Sequence, residues 1–416
     1  MRPQLLMILL FLASQAIHAA ERAAAPGAIS PERLSEHVRV LASDAFAGRA
    51  PGGPGEEKTV HYLVEQFKAL GLSPGGENGS WTQAVSLWHT RVAAPLSLTV
   101  AGAGPAPLSL EQGTDIAVET TRPEAEIILG QAPLVFVGFG AHAPERDWDD
   151  FGDIDLAGKI ALFLVNDPDF SAADDEPVSG VFGGRRMTYY GRWAYKFEEA
   201  QRRGALGALV IHEDAAAGYG WSVAASAPGD NFSLVDSGKP AARMALQGWL
   251  HRDAAEALFA RAGLDFQRQR ELARKPSFTA FPLGELRLSG EMDVDIARIE
   301  SRNVLARLPG TAHANETIMV TSHWDGYGVG APDGEGRTVR PGANDDALGT
   351  AGVIEIARAL RNGPPLERSV VFAAWTAEES GLLGSASYAN DPVYPVETTV
   401  ANFTLDILQT AGPARD

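Results

Sequence analysis

The last third of the chain alternates between short apolar runs of strand length and longer segments with apolar residues at helical spacing. These segments are, in order, a strand at 318–323, a helix at 347–360, a strand at 369–375, a helix at 382–389 and a strand at 400–407. Strands and helices that alternate at this spacing predict an α/β fold with a mainly parallel central sheet. Binding sites in such sheets form at the carboxyl ends of the strands. The strand ends are therefore where functional side chains are expected.

Two amphipathic helices are predicted near the amino terminus. Ser30, Pro31 and Glu32 form a helix start, and apolar residues follow at helical spacing as far as Leu41. A glycine- and proline-rich loop then leads into a second apolar stripe at 60–70. Each stripe is typical of a helix that packs one face against a core.

The middle of the chain has a different pattern of apolar residues. From about residue 108, strand-type runs dominate with few helices between them, and strand-type segments resume at Leu286. We therefore predict that residues 108–285 form a β-rich domain inserted into a domain made of residues 21–107 and 286–416.

The first residues predict export. Arg2 precedes an apolar stretch that is too short to cross a bilayer as a helix, and small residues follow as far as Ala20. This pattern is typical of a secretory signal peptide at residues 1–20, so we expect a secreted or periplasmic protein. No other long apolar run follows, and we expect no membrane attachment after cleavage. The chain has no cysteine, which excludes thiolate metal ligands, a cysteine nucleophile and a disulfide framework.

Charge and composition narrow the range of partners. Apolar content of 45% and charged content of 21% are ordinary for a globular protein. The formal charge is -18, and no basic stripe offsets it, so a nucleic-acid surface is not expected.

Acidic residues gather at the predicted strand ends. His323 ends the strand at 318–323, and Asp325 lies two residues further on the same side of an extended chain, where it can accept a hydrogen bond from the imidazole. Further acids stand at three other places: Asp345 and Asp346 before the helix at 347–360, Glu378 and Glu379 after the strand at 369–375, and Asp406 within the strand at 400–407.

Ordinary structural roles explain only part of this set. Helix capping accounts for one polar residue before the helix at 347–360, either Asn344 or Asp346, but not for two adjacent acids. Acids in the first turn of a helix would account for Glu378 and Glu379 taken alone. A lone carboxylate such as Asp406 in an apolar strand is costly to bury unless it is paired or bound to a cation.

Taken together, one imidazole and several carboxylates predict a metal site. This donor set suits zinc, and also cobalt or manganese. Two metal ions bridged by one carboxylate would satisfy the set and form a hydrolytic centre. One glutamate of the adjacent pair would then bind metal, and its neighbour would be free to act as a general base on water.

The ordered motifs resemble peptidase family M28, the co-catalytic zinc aminopeptidases. They are H-x-D, G-x-N-D-D-x-x-G, T-A-E-E-x-G-L-L-G-S and L-D, read from His323 to Asp406. The segment that begins LASDAFAGRAPGG resembles the amino-terminal helices of the family, and residues 108–285 resemble a protease-associated domain. The resemblance implies a phosphorylase/hydrolase-like zinc peptidase fold with that domain inserted.

The resemblance also implies a role for each residue. His323 and Asp406 would bind one zinc ion, Glu379 would bind a second, and Asp345 would bridge the two. Glu378 would be the general base and Asp325 the partner of His323. The implied substrates are peptides, from which the enzyme removes the N-terminal amino acid.

One departure leaves other functions open. The family has a second histidine ligand well beyond the position of Asp406, and no histidine follows His323 in this chain. We therefore expect the sequence to be truncated at its carboxyl end. The alternatives are a single-zinc acyltransferase similar to glutaminyl cyclase, and a non-enzymatic binding protein or inactive fragment.

Overall fold

The computed structural model describes residues 28–104, 106–225, 229–235, 243–330 and 332–408. The predicted signal peptide at 1–20 lies outside these described residues. The chain divides into two compact units. The first unit contains Met1–Leu87 and Ile299–Asp416, and the second contains Trp88–Arg298.

The helices and strands of the described residues are as follows. The α-helices are α1 (Pro31–Leu41), α2 (Glu56–Ala69), α3 (Trp193–Arg202), α4 (Asp214–Ala217), α5 (Trp221–Ala224), α6 (Arg252–Arg261), α7 (Phe266–Ala273), α8 (Leu348–Arg361) and α9 (Leu383–Asn390). The strands are β1 (Ser73–Pro74), β2 (Thr82–Val92), β3 (Ser97–Ala101), β4 (Leu108–Glu111), β5 (Ile116–Glu119), β6 (Glu126–Phe136), β7 (His142–Ala143), β8 (Trp148–Asp149), β9 (Ile160–Leu164), β10 (Gly207–His212), β11 (Asp230–Leu234), β12 (Leu246–His251), β13 (Phe281–Leu308), β14 (His313–His323), β15 (Arg368–Trp375) and β16 (Thr399–Thr404). Among the described residues, none of the helices combines the length and the apolar composition needed to cross a membrane.

The sheet of the first unit has the order β16-β14-β15-β13. β14 is parallel to both β15 and β16, whereas β13 runs antiparallel to β15. The strands that carry the predicted site residues are thus parallel, and helices alternate with them along the chain. This arrangement confirms the predicted α/β fold.

Helices and strands of the first unit pack together in an apolar cluster. The stripe predicted at 60–70 lies on α2, where Leu63 and Phe67 are fully buried. They belong to one cluster with residues of α8 and with Phe372 of β15, and the rings of Phe67 and Phe372 lie 6.5 Å apart. Because helical spacing places these apolar residues on one face, the helix packs as predicted.

Truncation of Phe67 to alanine should destabilise the first unit by about 3–5 kcal/mol, because it removes a fully buried aromatic ring and leaves a cavity. Phe403→Ala is the matched control, since the Phe403 side chain is 60% exposed and its loss should cost less than about 1 kcal/mol. Urea unfolding of both variants measures the difference. Equal destabilisation by the two substitutions would contradict this view of the core.

The second unit contains its own sheet. β6, β9, β10 and β12 are parallel neighbours, and β5 pairs antiparallel with β12. Apolar residues of these strands pack with residues of α6 and α7, including Phe259 and Phe266. The second unit is therefore rich in strands, as expected for this region, and helices pack against its parallel strands.

The second unit is wider than the range 108–285 predicted for the inserted domain. It begins at Trp88 and ends at Arg298. The difference arises because β3, which precedes residue 108, pairs antiparallel with β13 at Arg287–Ser289. Strand pairing between distant segments is not visible in the local apolar pattern. The protease-associated identity of this unit stays a prediction.

Candidate metal centre

The site lies where three parallel strands of the first unit end. His323, the last residue of β14, is in register with Trp375, the last residue of β15. Thr321 of β14 is in register with Thr404, the last residue of β16. The segments that follow these strands therefore meet at one edge of the sheet, as the strand-end rule predicts.

His323 lies at the centre of a cluster of carboxylates. Its side chain is only 2% exposed. Nε2 lies 3.0 Å from Asp345 Oδ1 and 3.7 Å from Glu378 Oε2, and it lies 3.8 Å from Asp406 Oδ1. One ring nitrogen thus faces three acids that come from three separate segments of the chain.

Asp325 connects His323 to the adjacent glutamates. Its Oδ1 lies 3.4 Å from His323 Nδ1, which is longer than an ordinary N–H···O hydrogen bond. The two carboxylate oxygens accept hydrogen bonds from the backbone N–H of Glu378 at 3.0 Å and of Glu379 at 3.3 Å. Besides its predicted place beside the imidazole, the buried Asp325 therefore holds the loop that carries both glutamates.

The adjacent aspartates have different environments. Asp346 is fully buried, and its Oδ1 accepts a hydrogen bond from the backbone N–H of Gly349 in the first turn of α8 at 2.8 Å. Its Oδ2 accepts another from the backbone N–H of His323 at 3.2 Å. Asp346 thus satisfies an N–H group of the first turn, as expected of a capping side chain, although the N-cap position itself is Ala347. Asp345, whose side chain is 38% exposed, faces His323 Nε2 instead.

The loop after β15 places Glu378 and Glu379 before helix α9, not within its first turn. The carbonyl of Glu378 accepts a hydrogen bond from the N–H of Gly381 at 2.9 Å, which closes a turn. Gly384 approaches Thr376 so closely that a Cβ atom would lie 2.3 Å from the Thr376 carbonyl oxygen. A glycine is therefore required at position 384. Because both glutamates lie before α9, the sequence-based explanation that they are acids of a helix's first turn does not apply.

Asp406 lies beyond its strand. β16 ends at Thr404, and the Asp406 side chain is 42% exposed. The expectation that the strand runs to Ile407 is therefore wrong. In the described part of the chain β16 pairs only with β14, and residues such as Phe403 are exposed, so the apolar sequence does not signify burial here. The proximity of Asp406 to His323 is nevertheless as predicted.

Crowding of carboxylates alters the acidity of the site. Burial raises the pKa of Glu378 to about 7 and the pKa of Glu379 to about 8, and neighbouring carboxylates add to both rises. Burial alone would lower the pKa of His323, but the carboxylates around its ring raise it well above the ordinary value. Like charges at such distances are stabilised when a cation lies between them.

The donor atoms fit a metal centre. Ligand atoms of His323, Asp345 and Glu379 all lie within 4.8 Å of one another, and the same holds for those of His323, Glu378 and Asp406. Glu379 Oε1 is buried and has no hydrogen-bond partner among the described residues, as expected of an oxygen atom whose partner is a cation. Imidazole nitrogen with carboxylate oxygen is a donor set typical of zinc.

Every side chain predicted for the site lies in this cluster, but a buried arginine beside it did not figure among the predictions. The cluster contains the predicted set His323, Asp325, Asp345, Glu378, Glu379 and Asp406. Arg49 is 1% exposed and donates to the carbonyl of Trp324, between His323 and Asp325, at 2.8 Å. A charged residue in a glycine-rich loop usually faces solvent, so the sequence carries no signal for its burial.

Comparisons with known proteins agree with the geometry. The family model for Peptidase family M28 matches residues 303–416. Leucine aminopeptidase 2 of Trichophyton rubrum is 40% identical over 114 residues, which cover 26% of this chain and 21% of the relative. Aminopeptidase YwaD of Bacillus subtilis is 31% identical over 113 residues, covering 27% and 22%. The chain thus spans about a fifth of the length of these curated relatives.

Among solved structures, the aminopeptidase from Aneurinibacillus sp. strain AM-1 is similar over 91% of this chain and 71% of its own, with a TM-score of 0.45 and 21% identity. The segment matched by the family model contains every side chain of the cluster around His323. Residues 303–416 of this chain are thus similar to peptidase family M28.

Proposed function

We propose that this protein is a zinc-dependent aminopeptidase that removes the N-terminal amino acid from peptides. The observation that carries the proposal is the pair of overlapping donor groups around His323, within the segment matched by the family model. His323 and Asp406 would hold one zinc ion, Glu379 would hold a second, and Asp345 would bridge them. Asp345 and Asp406, both partly exposed, give solvent access to the centre.

The residues around the centre have separable tasks. When bound, zinc supplies Lewis-acid polarisation of the scissile carbonyl and makes a water molecule more acidic. Glu378 Oε2 lies on the same side of His323 as the other donors, 3.7 Å from Nε2. It takes a proton from the attacking water and delivers it to the nitrogen of the leaving amine.

Asp325 keeps this arrangement in place. Its carboxylate holds the backbone N–H groups of Glu378 and Glu379, so the base and the adjacent ligand move together with the end of β14. The negative charge beside Nδ1 favours the tautomer of His323 that carries a proton on Nδ1 and leaves Nε2 free to bind metal.

Two further features belong to the proposal. The signal-type pattern at residues 1–20 supports a secreted or periplasmic enzyme. The second unit, Trp88–Arg298, would be a protease-associated domain, as its place between the two segments of the first unit suggests.

Metal removal tests the proposed function. After exhaustive dialysis, the full chain is expected to retain two zinc ions and to hydrolyse aminoacyl 4-nitroanilides. A chelator should abolish this hydrolysis and added zinc should restore it, because the water is activated at the metal centre. Zinc is counted by plasma mass spectrometry and hydrolysis is followed by absorbance. The matched control substrate is the N-acetylated anilide, which lacks the free amine and should not be cleaved.

Other outcomes would contradict this function. A chain that retains no zinc and cleaves no anilide after zinc is supplied is not an aminopeptidase. One zinc ion together with cyclisation of an N-terminal glutamine would favour the acyltransferase alternative.

A further inference from the structure

A buried guanidinium connects the segments that carry the metal centre. Arg49 Nε donates to the carbonyl of Trp324 at 2.8 Å. Nη1 donates to the carbonyls of Leu41 at 2.7 Å and Pro341 at 2.8 Å, and Nη2 donates to that of Gly342 at 2.8 Å. One side chain thus binds three separate parts of the first unit, namely the end of α1 and two loops at the site.

Both loops carry side chains of the centre. Trp324 stands between His323 and Asp325, and Gly342 stands three residues before Asp345. Across these loops, His323 Nε2 and Asp345 Oδ1 lie 3.0 Å apart. The four hydrogen bonds of Arg49 therefore fix the backbone on either side of the pair that would share a metal ion.

The chain around Arg49 is packed to permit this contact. Gly48 has a φ of +66°, and a Cβ atom there would lie 2.3 Å from the carbonyl oxygen of Gly328 and 2.6 Å from that of Arg340. The backbone N–H of Gly328 donates to the Gly48 carbonyl at 3.0 Å. Arg49 itself has a φ of +60°, a conformation uncommon in residues other than glycine. The segment thus lies directly against both loops.

Arginine suits this position for two reasons. Its planar guanidinium has five N–H donors in a fixed arrangement, whereas a lysine ammonium has three on a flexible stem. Its charge also acts on the neighbouring carboxylates, which include Asp325, Asp345 and Glu379. A buried cation is tolerated where hydrogen bonds and opposite charges compensate it, as they do here.

We propose that Arg49 is a positioning residue for the metal centre. Its side chain holds the loop of His323 and Asp325 against the loop of Asp345. The inference rests on the proposed function in one respect, that the cluster around His323 binds zinc. Arg49 does not touch the reacting atoms; it acts through the backbone of the residues that hold the metal.

The substitution Arg49→Lys tests the inference. The substitution keeps the charge, but lysine cannot form all four hydrogen bonds. The affinity for zinc should therefore fall by about 10–100-fold, which is the usual loss when a residue that hydrogen-bonds to a metal ligand is removed. Affinity is measured in the full chain by competition with a chromophoric chelator. The visible absorption of the cobalt-loaded chain should also change, because the geometry of the ligands changes.

Arg307→Lys is the matched control. Arg307 is also a hydrogen-bonded arginine of the first unit, and its Nη2 donates to the carbonyl of Ala314 at 2.7 Å and to Ser369 Oγ at 3.0 Å. This control should keep the zinc affinity and the cobalt spectrum of the wild type. Wild-type affinity and an unchanged cobalt spectrum in Arg49→Lys would overturn the inference.

A measurement on the unmodified chain decides the matter if Arg49→Lys does not fold. Because coupling between sites is reciprocal, zinc binding should slow amide hydrogen exchange in residues 44–49, which contain no proposed ligand. Residues 73–80 of the same unit control for general stabilisation. Protection confined to the segments that carry ligands would overturn the inference. A wild-type chain that binds no zinc would instead refute the proposed function itself.

Discussion

Glu378→Gln is expected to lower kcat for aminoacyl anilides by about 10²–10⁴-fold while zinc content stays at the wild-type level. The amide has nearly the shape of the carboxylate but cannot take a proton from water. Glu378 Oε2 lies 3.7 Å from His323 Nε2, which places the carboxylate at the centre. Steady-state kinetics and zinc counting on the same preparation measure the two quantities.

Glu379→Gln is the matched control, since it makes the same chemical change one residue further on. Glu379 belongs to the donor group with His323 and Asp345, and its substitution should lower the zinc content as well as the activity. Glu378 belongs to the second donor group, with His323 and Asp406, so the alternative result is that Glu378 is itself a metal ligand. If Glu378→Gln also lost zinc, Glu378 would be a ligand and the general base would have to be sought elsewhere.

Helices and strands around the candidate metal centre could be predicted because their apolar residues follow a regular period. The helix predicted at 347–360 is observed as Leu348–Arg361, and the strand predicted at 369–375 is observed as Arg368–Trp375. Helical spacing and a continuous apolar run are local properties, so they can be recognised in a single sequence. The convergence of strand ends followed from the parallel order of the strands alone.

Properties that depend on pairing between distant segments could not be predicted. The sequence from Val400 to Ile407 is strand-like throughout, yet the strand ends at Thr404 and its side chains are largely exposed. Arg49 lies in a segment whose sequence predicts a solvent-exposed connection, and its four carbonyl acceptors come from three separate segments. Such contacts are set by tertiary structure and leave no periodic trace in the sequence.

Adjacent acids at the site illustrate how sequence and structure complement each other. The sequence indicated that capping accounts for one residue before helix α8 but not for two acids. The structure assigns the capping hydrogen bond to Asp346 and directs Asp345 toward His323. The two neighbouring carboxylates therefore face different partners, one the backbone N–H groups and the other the imidazole of His323.

This separation predicts different results for two equivalent substitutions. Asp345→Asn should lower zinc affinity by more than about 100-fold, beyond the loss caused by an outer partner, and should leave the metal-free chain about as stable as the wild type. Asp346→Asn should destabilise the metal-free chain by about 1–3 kcal/mol. The N–H groups of Gly349 and His323 donate to different carboxylate oxygens, and the substitution turns one of these oxygens into an NH2 group, which cannot accept. Chelator competition measures zinc affinity, and urea unfolding measures stability.

Each aspartate serves as the control for the other, because the substitutions are identical and the positions are adjacent. A fall in stability without a comparable fall in zinc affinity for Asp346→Asn would show that the cap supports the fold and that the metal is held by Asp345. The reverse result, with zinc affinity lost in Asp346→Asn and retained in Asp345→Asn, would refute the assignment of Asp345 as the bridging ligand. In that case the 3.0 Å contact between Asp345 Oδ1 and His323 Nε2 would be an ion pair of the metal-free chain, and Asp346 would be the acid that binds the metal.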